Sequence, residues 1–178
     1  MKKHNDDKRH QSTVYIMIGV PGSGKSTYIA HHLPIDTTSI SRDQIRIDMG
    51  LCGPDGKCVG TPHQESLVTT EFWNQINDAL VADQDDNIAI DNTSLTVKRR
   101  QELVDGLNTY CDRFKDLLVR PKIVYVFCKT PEMATILSRR ESQIPRGALA
   151  AMMSKIEEPD PEKECWDELI EHTSDEEL

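Results

Sequence analysis

Eight consecutive residues, Gly19-Val20-Pro21-Gly22-Ser23-Gly24-Lys25-Ser26, constrain this chain more than any other feature. The pattern G-x-x-x-x-G-K-S turns backbone N–H groups inward on phosphate oxygens, and its glycines permit the positive φ angles that such a loop requires. It follows a β-rich apolar run at 14–18 and opens a segment of helical character at 25–32. That context separates a phosphate loop from a chance match. The helix adds the partial positive charge of its N-terminus. Gly22, Ser23, Gly24, Lys25, Ser26 and Thr27 are therefore the expected ATP-binding residues, with Lys25 reaching the β- and γ-phosphates and Ser26 a ligand of Mg²⁺.

A chain of 178 residues holds one domain with a real core. No apolar run approaches the roughly 20 residues of a membrane span, and residues 1–13 form a polar extension without the apolar stretch of a secretory signal. Five scattered cysteines predict reduced thiols and a cytoplasmic setting. The net charge of −9 is unevenly distributed: residues 157–178 hold eleven acidic side chains against Lys163 alone. The remainder carries 20 basic and 19 acidic side chains, so overall acidity does not exclude a polyanionic substrate.

Apolar runs at 39–40, 88–90 and 122–127 predict further strands, and helical patterns at 43–49, 61–80, 97–110, about 130–140 and 145–156 alternate with them. Thr61-Pro62-His63-Gln64 supplies an N-cap, a proline at the first helical position and a capping-box partner. Leu67, Val68, Phe72, Trp73, Ile76 and Leu80 lie on one stripe of that helix and predict core packing. The expectation is an α/β fold, a doubly wound parallel sheet with helices on both faces. Its domain spans 14–158 with a lid around 137–147, followed by an acidic tail at 159–178. The tail is expected to be mobile, with a short helix near 165–172.

The segment Ser41-Arg42-Asp43-Gln44-Ile45-Arg46 follows the second strand, where the carboxyl ends of neighbouring strands share one crevice. Phosphoryl transfer to a hydroxyl needs in-line positioning and a carboxylate to accept the proton. Asp43 has arginines one residue before and three after it, and Arg46 shares its helix face.

The phosphate loop, this segment and Asp91-Asn92-Thr93-Ser94-Leu95-Thr96-Val97-Lys98-Arg99-Arg100 together resemble the 5′-hydroxyl polynucleotide kinases, with looser likeness at Glu65–Thr69 and Ile144-Pro145. The resemblance covers about 14–159. It implies a P-loop kinase domain that moves the γ-phosphate of ATP to the 5′-OH end of DNA or RNA. Asp43 becomes the general base and a second candidate metal ligand beside Ser26. Arg46 binds the phosphate next to the terminal nucleoside and Arg42 lines the same channel. Asn92 and Thr93 stand at the mouth of the acceptor site, and Ile144 supports the terminal base. Where the family places an acidic residue directly before the threonine, this chain has Asn92. Its carboxylate stands one place back at Asp91, on the opposite face if strand alternation continues. Of the adjacent Arg139 and Arg140, Arg140 is the one expected to face the ATP phosphates, with Arg139 close behind. The chain lacks an Asp-x-Asp-x-Thr phosphatase motif, so a stand-alone kinase is expected.

Two other readings stay open: a P-loop kinase of a small molecule, nucleoside or aminoacyl-tRNA, and a non-catalytic ATP-binding interaction module. A homo-oligomer and a protein partner for the acidic tail remain open as well. Cys52, Cys58 and His63 lack a fourth zinc ligand and predict a reduced loop. Lys98-Arg99-Arg100 predicts a solvated helix start or a nucleic-acid contact, and His31 and His32 a helix C-terminus.

Overall fold

The computed structural model describes residues 11–53, 58, 60–82, 87–139 and 144–174. Its centre is a five-stranded parallel sheet of order β2-β3-β1-β4-β5. The strands are β1 (Thr13–Ile18), β2 (Thr38–Ile40), β3 (Asn87–Ile90), β4 (Lys122–Cys128) and β5 (Glu168–His172). Helices α1 (Lys25–His32), α2 (Arg42–Asp48), α3 (Pro62–Val81), α4 (Val97–Arg113), α5 (Met133–Arg139) and α6 (Arg146–Met153) connect them.

Both faces of the sheet are covered, and side-chain alternation explains why. Val14, Ile16 and Ile18 of β1 join Ile88 and Ile90 of β3 against Phe72, Ile76, Val104 and Leu107 from α3 and α4. Met17 of β1 and Val124, Val126 and Cys128 of β4 point the other way, onto Tyr28 of α1. Strands buried on both faces are continuous apolar runs, as the sequence at 123–128 is. In α3, Val68, Phe72, Ile76 and Leu80 are buried, whereas Leu67 is 46% exposed and is not core. Thr61 and Gln64 close the expected capping box. No helix among the described residues is long and apolar enough to cross a membrane.

Three expectations are corrected. The segment 168–172 is a strand, β5, rather than a helix, and pairs with β4 from Val124↔Glu168 to Cys128↔His172. Its acidic residues have specific partners: Lys122 Nζ–Glu168 Oε2 at 2.5 Å, Lys129 Nζ–Glu171 Oε2 at 2.9 Å, and the Ile123 N–H donating to Asp167 Oδ2 at 2.7 Å. These contacts turn an acidic run into a sheet edge. Second, Arg100 is neither solvated nor aimed at a ligand: it is fully buried and forms a two-pronged bridge to equally buried Glu164, with both N–O distances 2.7 Å. Third, Cys52 and Cys58 form a disulfide, which removes both from any zinc site, while Cys111, Cys128 and Cys165 are free.

Candidate active site

The loop between β1 and α1 is built around glycines. Gly24, at φ +99°, occupies the N-cap of α1, and Gly22 adopts φ +83° with Ile136 so close that a Cβ would stand 2.9 Å from its Cγ2. A side chain at either position would meet both backbone strain and a neighbour. Lys25 is 8% exposed, and its Nζ donates to the carbonyl oxygens of Gly19 and Val20, each at 3.0 Å. Ser23 is fully buried, with no hydrogen-bond partner for its hydroxyl. Ser26 and Thr27 are exposed at the start of α1.

The carboxyl end of β3 supplies the next part of the site. Asp91 lies one residue past the strand, and the Ser26 hydroxyl donates to Asp91 Oδ2 at 2.9 Å. The expectation that Asp91 points to the far face is therefore overturned. Strand alternation ends at Ile90, and the Asn92 N–H bonds back to the Ile90 carbonyl at 3.0 Å, re-aiming the chain. Asn92 Oδ1 accepts from the Arg42 N–H at 3.2 Å, helping to hold the start of α2. Thr93 holds the phosphate loop through its carbonyl, which accepts from the Gly19 N–H at 3.0 Å.

Helix α2 carries Arg42, Asp43 and Arg46. Asp43 is 86% exposed at its side chain, and Arg46 Nη1 donates to Asp43 Oδ1 at 2.7 Å. The other edge of the Arg46 guanidinium grips Glu65 of α3, with Nε–Oε1 at 2.9 Å and Nη2–Oε2 at 2.8 Å. The Glu65 hydrogen bond holds Arg46 above the usual guanidinium range, and Arg46 in turn holds Glu65 below the usual carboxylate range. Arg42 Nη1 donates to Thr69 Oγ1 at 2.9 Å, and its guanidinium lies 4.7 Å from the Phe72 ring centroid. Burial lowers the Arg42 pKa, followed by the nearby charges of Arg46 and Arg99. Arg42 and Arg46 of α2 and Arg99 of α4 thus line the same cleft.

These residues line a single cleft of about 1260 Å³. It contains Lys25, Ser26, Arg42, Asp43, Arg46, Asp91, Asn92, Thr93 and Ile144 together, and extends to Trp73, Arg99 and Leu103. Arg139 closes α5, its side chain lies outside the described residues, and Arg140 lies wholly outside them. The roles of two residues, Glu65 and Asp91, escaped the sequence reading. Glu65 is 19 positions from Arg46 and no local pattern joins them. Asp91 was visible as a carboxylate after a strand, and only its direction was misjudged.

The donors fit Mg²⁺. Ser26 and Asp91 offer hard oxygens 2.9 Å apart beside the phosphate loop, and Mg²⁺ characteristically takes one or two carboxylates plus substrate phosphates. No cluster of three or more His, Cys, Asp or Glu that could hold a metal occurs among the described residues, and such a site does not need one.

Sheet order, phosphate loop and cleft define a P-loop kinase-type domain. The chain belongs to the AAA domain family AAA_33, matched over residues 14–159. No curated protein matches it. Among solved structures it is similar to a fungal RNA kinase, at 14% identity and TM-score 0.63 over 93% of this chain and 76% of that one. It is also similar to a chain of the Pnkp1/Rnl/Hen1 RNA repair complex, at 19% identity and TM-score 0.62 over 84% of this chain, which spans only 45% of that one. The Mycobacterium tuberculosis APS kinase CysC, in complex with AMPPNP and APS, aligns at 15% identity and TM-score 0.52, over 91% of this chain and 89% of that one. At identities this low the likeness shows the shared fold alone.

Proposed function

We propose that this protein transfers the γ-phosphate of ATP to the 5′-OH end of DNA or RNA, acting as a polynucleotide 5′-hydroxyl kinase. The observation that carries the proposal is Asp43, an exposed carboxylate held by Arg46 at 2.7 Å in the same cleft as Lys25, Ser26 and Asp91. A purely ATP-binding module has no need of such a carboxylate. Arg42, Arg46 and Arg99 beside it suit an acceptor carrying phosphates of its own. The resemblances to an RNA kinase and to an RNA repair component support the same substrate class.

In the reaction Lys25 leaves the Gly19 and Val20 carbonyls and pairs with the β- and γ-phosphates. Ser26 and Asp91 would hold Mg²⁺, which when bound would neutralise charge on those phosphates. Asp43 accepts the proton of the 5′-hydroxyl as its oxygen bonds to the γ-phosphorus and the bridging bond to ADP breaks. Arg46 has one edge fixed by Glu65 and orients Asp43 and the phosphate that follows the terminal nucleoside. An arginine of the 139–140 pair completes the phosphate clamp.

Transfer of labelled γ-phosphate to matched oligonucleotides with 5′-OH or 5′-phosphate ends tests the proposal. Label is expected only on the 5′-OH strand and is lost with Asp43→Ala. Transfer to a nucleoside or sugar, with none to any oligonucleotide, would replace the polynucleotide reading with a small-molecule kinase.

A further inference from the structure

The cleft does not end at the acceptor arginines. Along α3, Glu65, Thr69, Trp73 and Asn77 are spaced four residues apart and form one line. Glu65 grips Arg46, Thr69 grips Arg42, Trp73 lines the far part of the cleft, and Asn77 lies beyond it. Helix rise places Trp73 about 12 Å past Glu65 and Asn77 about 18 Å past it. Trp73 also lines a second cavity of about 290 Å³ with Asn77, Gly106, Thr109, Tyr110 and Arg113. The two cavities therefore meet at the indole.

Helix α4 forms the opposite wall. Arg99, Leu103, Gly106, Tyr110 and Arg113 recur at intervals of three and four residues on one stripe along its length. Gly106 lets the Trp73 ring seat against α4 there, since a Cβ would stand 2.6 Å from Trp73 Cζ2, so the indole bridges the two helices. Among the described residues no carboxylate lines the second cavity. Glu102, which lines the first, is paired with Arg99 across an exposed i,i+3 contact of 3.1 Å. Pairs of that kind contribute little and are readily exchanged. Arg113 is exposed beside the Phe114 ring, 5.8 Å from its centroid. Aromatic rings interleaved with arginines, in two cavities that adjoin at Trp73 beside the cleft, match the chemistry of single-stranded nucleic acid.

We infer that the α3–α4 groove, with Trp73, Tyr110, Arg99 and Arg113, binds the single-stranded nucleotides that follow the acceptor end. The inference rests on the polynucleotide reading above and specifies how the strand leaves the site. At roughly 3.4 Å per stacked nucleotide, Trp73 is reached about four nucleotides from the end. Dinucleotide acceptors are too short to use the groove, and strands of about ten nucleotides fill it.

Two measurements on the full chain test this. The first compares KM for 5′-OH acceptors of about two and about ten nucleotides in wild type, Arg113→Ala and Tyr110→Leu. The expected result is a KM for the long acceptor raised roughly fivefold to tenfold, with kcat and the short-acceptor KM unchanged. The Arg113→Ala variant should also flatten the salt dependence of long-strand binding by about 0.7 in log–log slope. Equal length dependence in all three proteins would overturn the groove while leaving the kinase reading intact. The second measures fluorescence anisotropy of a labelled ten-nucleotide strand with a 5′-phosphate, which needs no turnover. Binding that weakens in Arg113→Glu supports the groove even if no oligonucleotide is phosphorylated, whereas binding unaffected by Arg113→Glu, or no binding, overturns it.

Discussion

Removing the charge of Glu164 is expected to be among the most destabilising single changes in this protein. Arg100 and Glu164 are both fully buried and joined by two N–O contacts of 2.7 Å. Arg100 also donates to the carbonyls of Ser94 at 3.0 Å and Glu157 at 2.9 Å, and its guanidinium lies 6.0 Å from the Tyr125 ring centroid. Glu164→Gln keeps the shape but leaves a buried cation without its counter-charge, a loss of about 3–5 kcal/mol. Domains of this kind have about 5–15 kcal/mol in all. With a urea slope near 2 kcal/mol/M, the unfolding midpoint should fall by about 1.5–2.5 M. Arg100→Met should cost as much or more, because Glu164 and two carbonyls lose their donor together. Arg100→Met with Glu164→Met should cost clearly less than the sum, since a paired removal leaves no lone charge. Single losses below about 1 kcal/mol, or strict additivity, would refute the claim that burial makes this pair interdependent. By the same reasoning, truncation at Glu157 removes the counter-charge, β5 and the Glu157 Oε2 contact to the Val97 N–H at 2.6 Å. It should yield an unstable protein rather than a trimmed enzyme.

Three further outcomes are expected. Asp91→Asn should weaken Mg²⁺-dependent ATP binding by about 10- to 100-fold with little effect on metal-free ATP binding, as read by titration calorimetry. Gly106→Ala should destabilise despite a helix-propensity gain of about 1 kcal/mol, because its Cβ collides with the Trp73 ring; a raised urea midpoint would contradict the seating of that ring on the α4 backbone. Among the free cysteines, iodoacetamide at pH 8 should modify exposed Cys165 and spare buried Cys111 and Cys128 in intact-mass spectra, as burial raises the Cys111 pKa and pushes that of Cys128 up to about 11. The unfolded chain loses the Cys128 proton first, so this group lowers stability as pH rises from about 9 toward 11.

The sheet and phosphate loop were legible because their signals are local. A buried parallel strand is an apolar run, and a phosphate loop is eight adjacent residues. Asp43 and Arg46 were legible together because three positions on one helix fix their contact. Glu65, Glu164 and β5 were not, because each takes its role from a partner distant in sequence. An acidic run such as 157–171 resembles a solvated tail until Lys122, Lys129 and Arg100 are placed beside it. Strand alternation misled at Asp91 because it was carried one residue past the point where the strand stops.

The placement of β5 has a consequence for the order of events during synthesis. β1 and the phosphate loop emerge early, whereas the strand that completes the sheet beyond β4 emerges more than a hundred residues later. His172 at the end of β5 and Ser174 just after it lie against the loop, where a Cβ at Gly24 would stand 3.8 Å from His172 Nε2 and 3.2 Å from Ser174 Cβ. On a growing chain the glycine loop therefore waits, with one flank bare and Arg100 without Glu164, until residues 164–174 leave the ribosome. Nascent chains shorter than this should be open to protease and bind ATP poorly, and both properties should change together once that stretch is released.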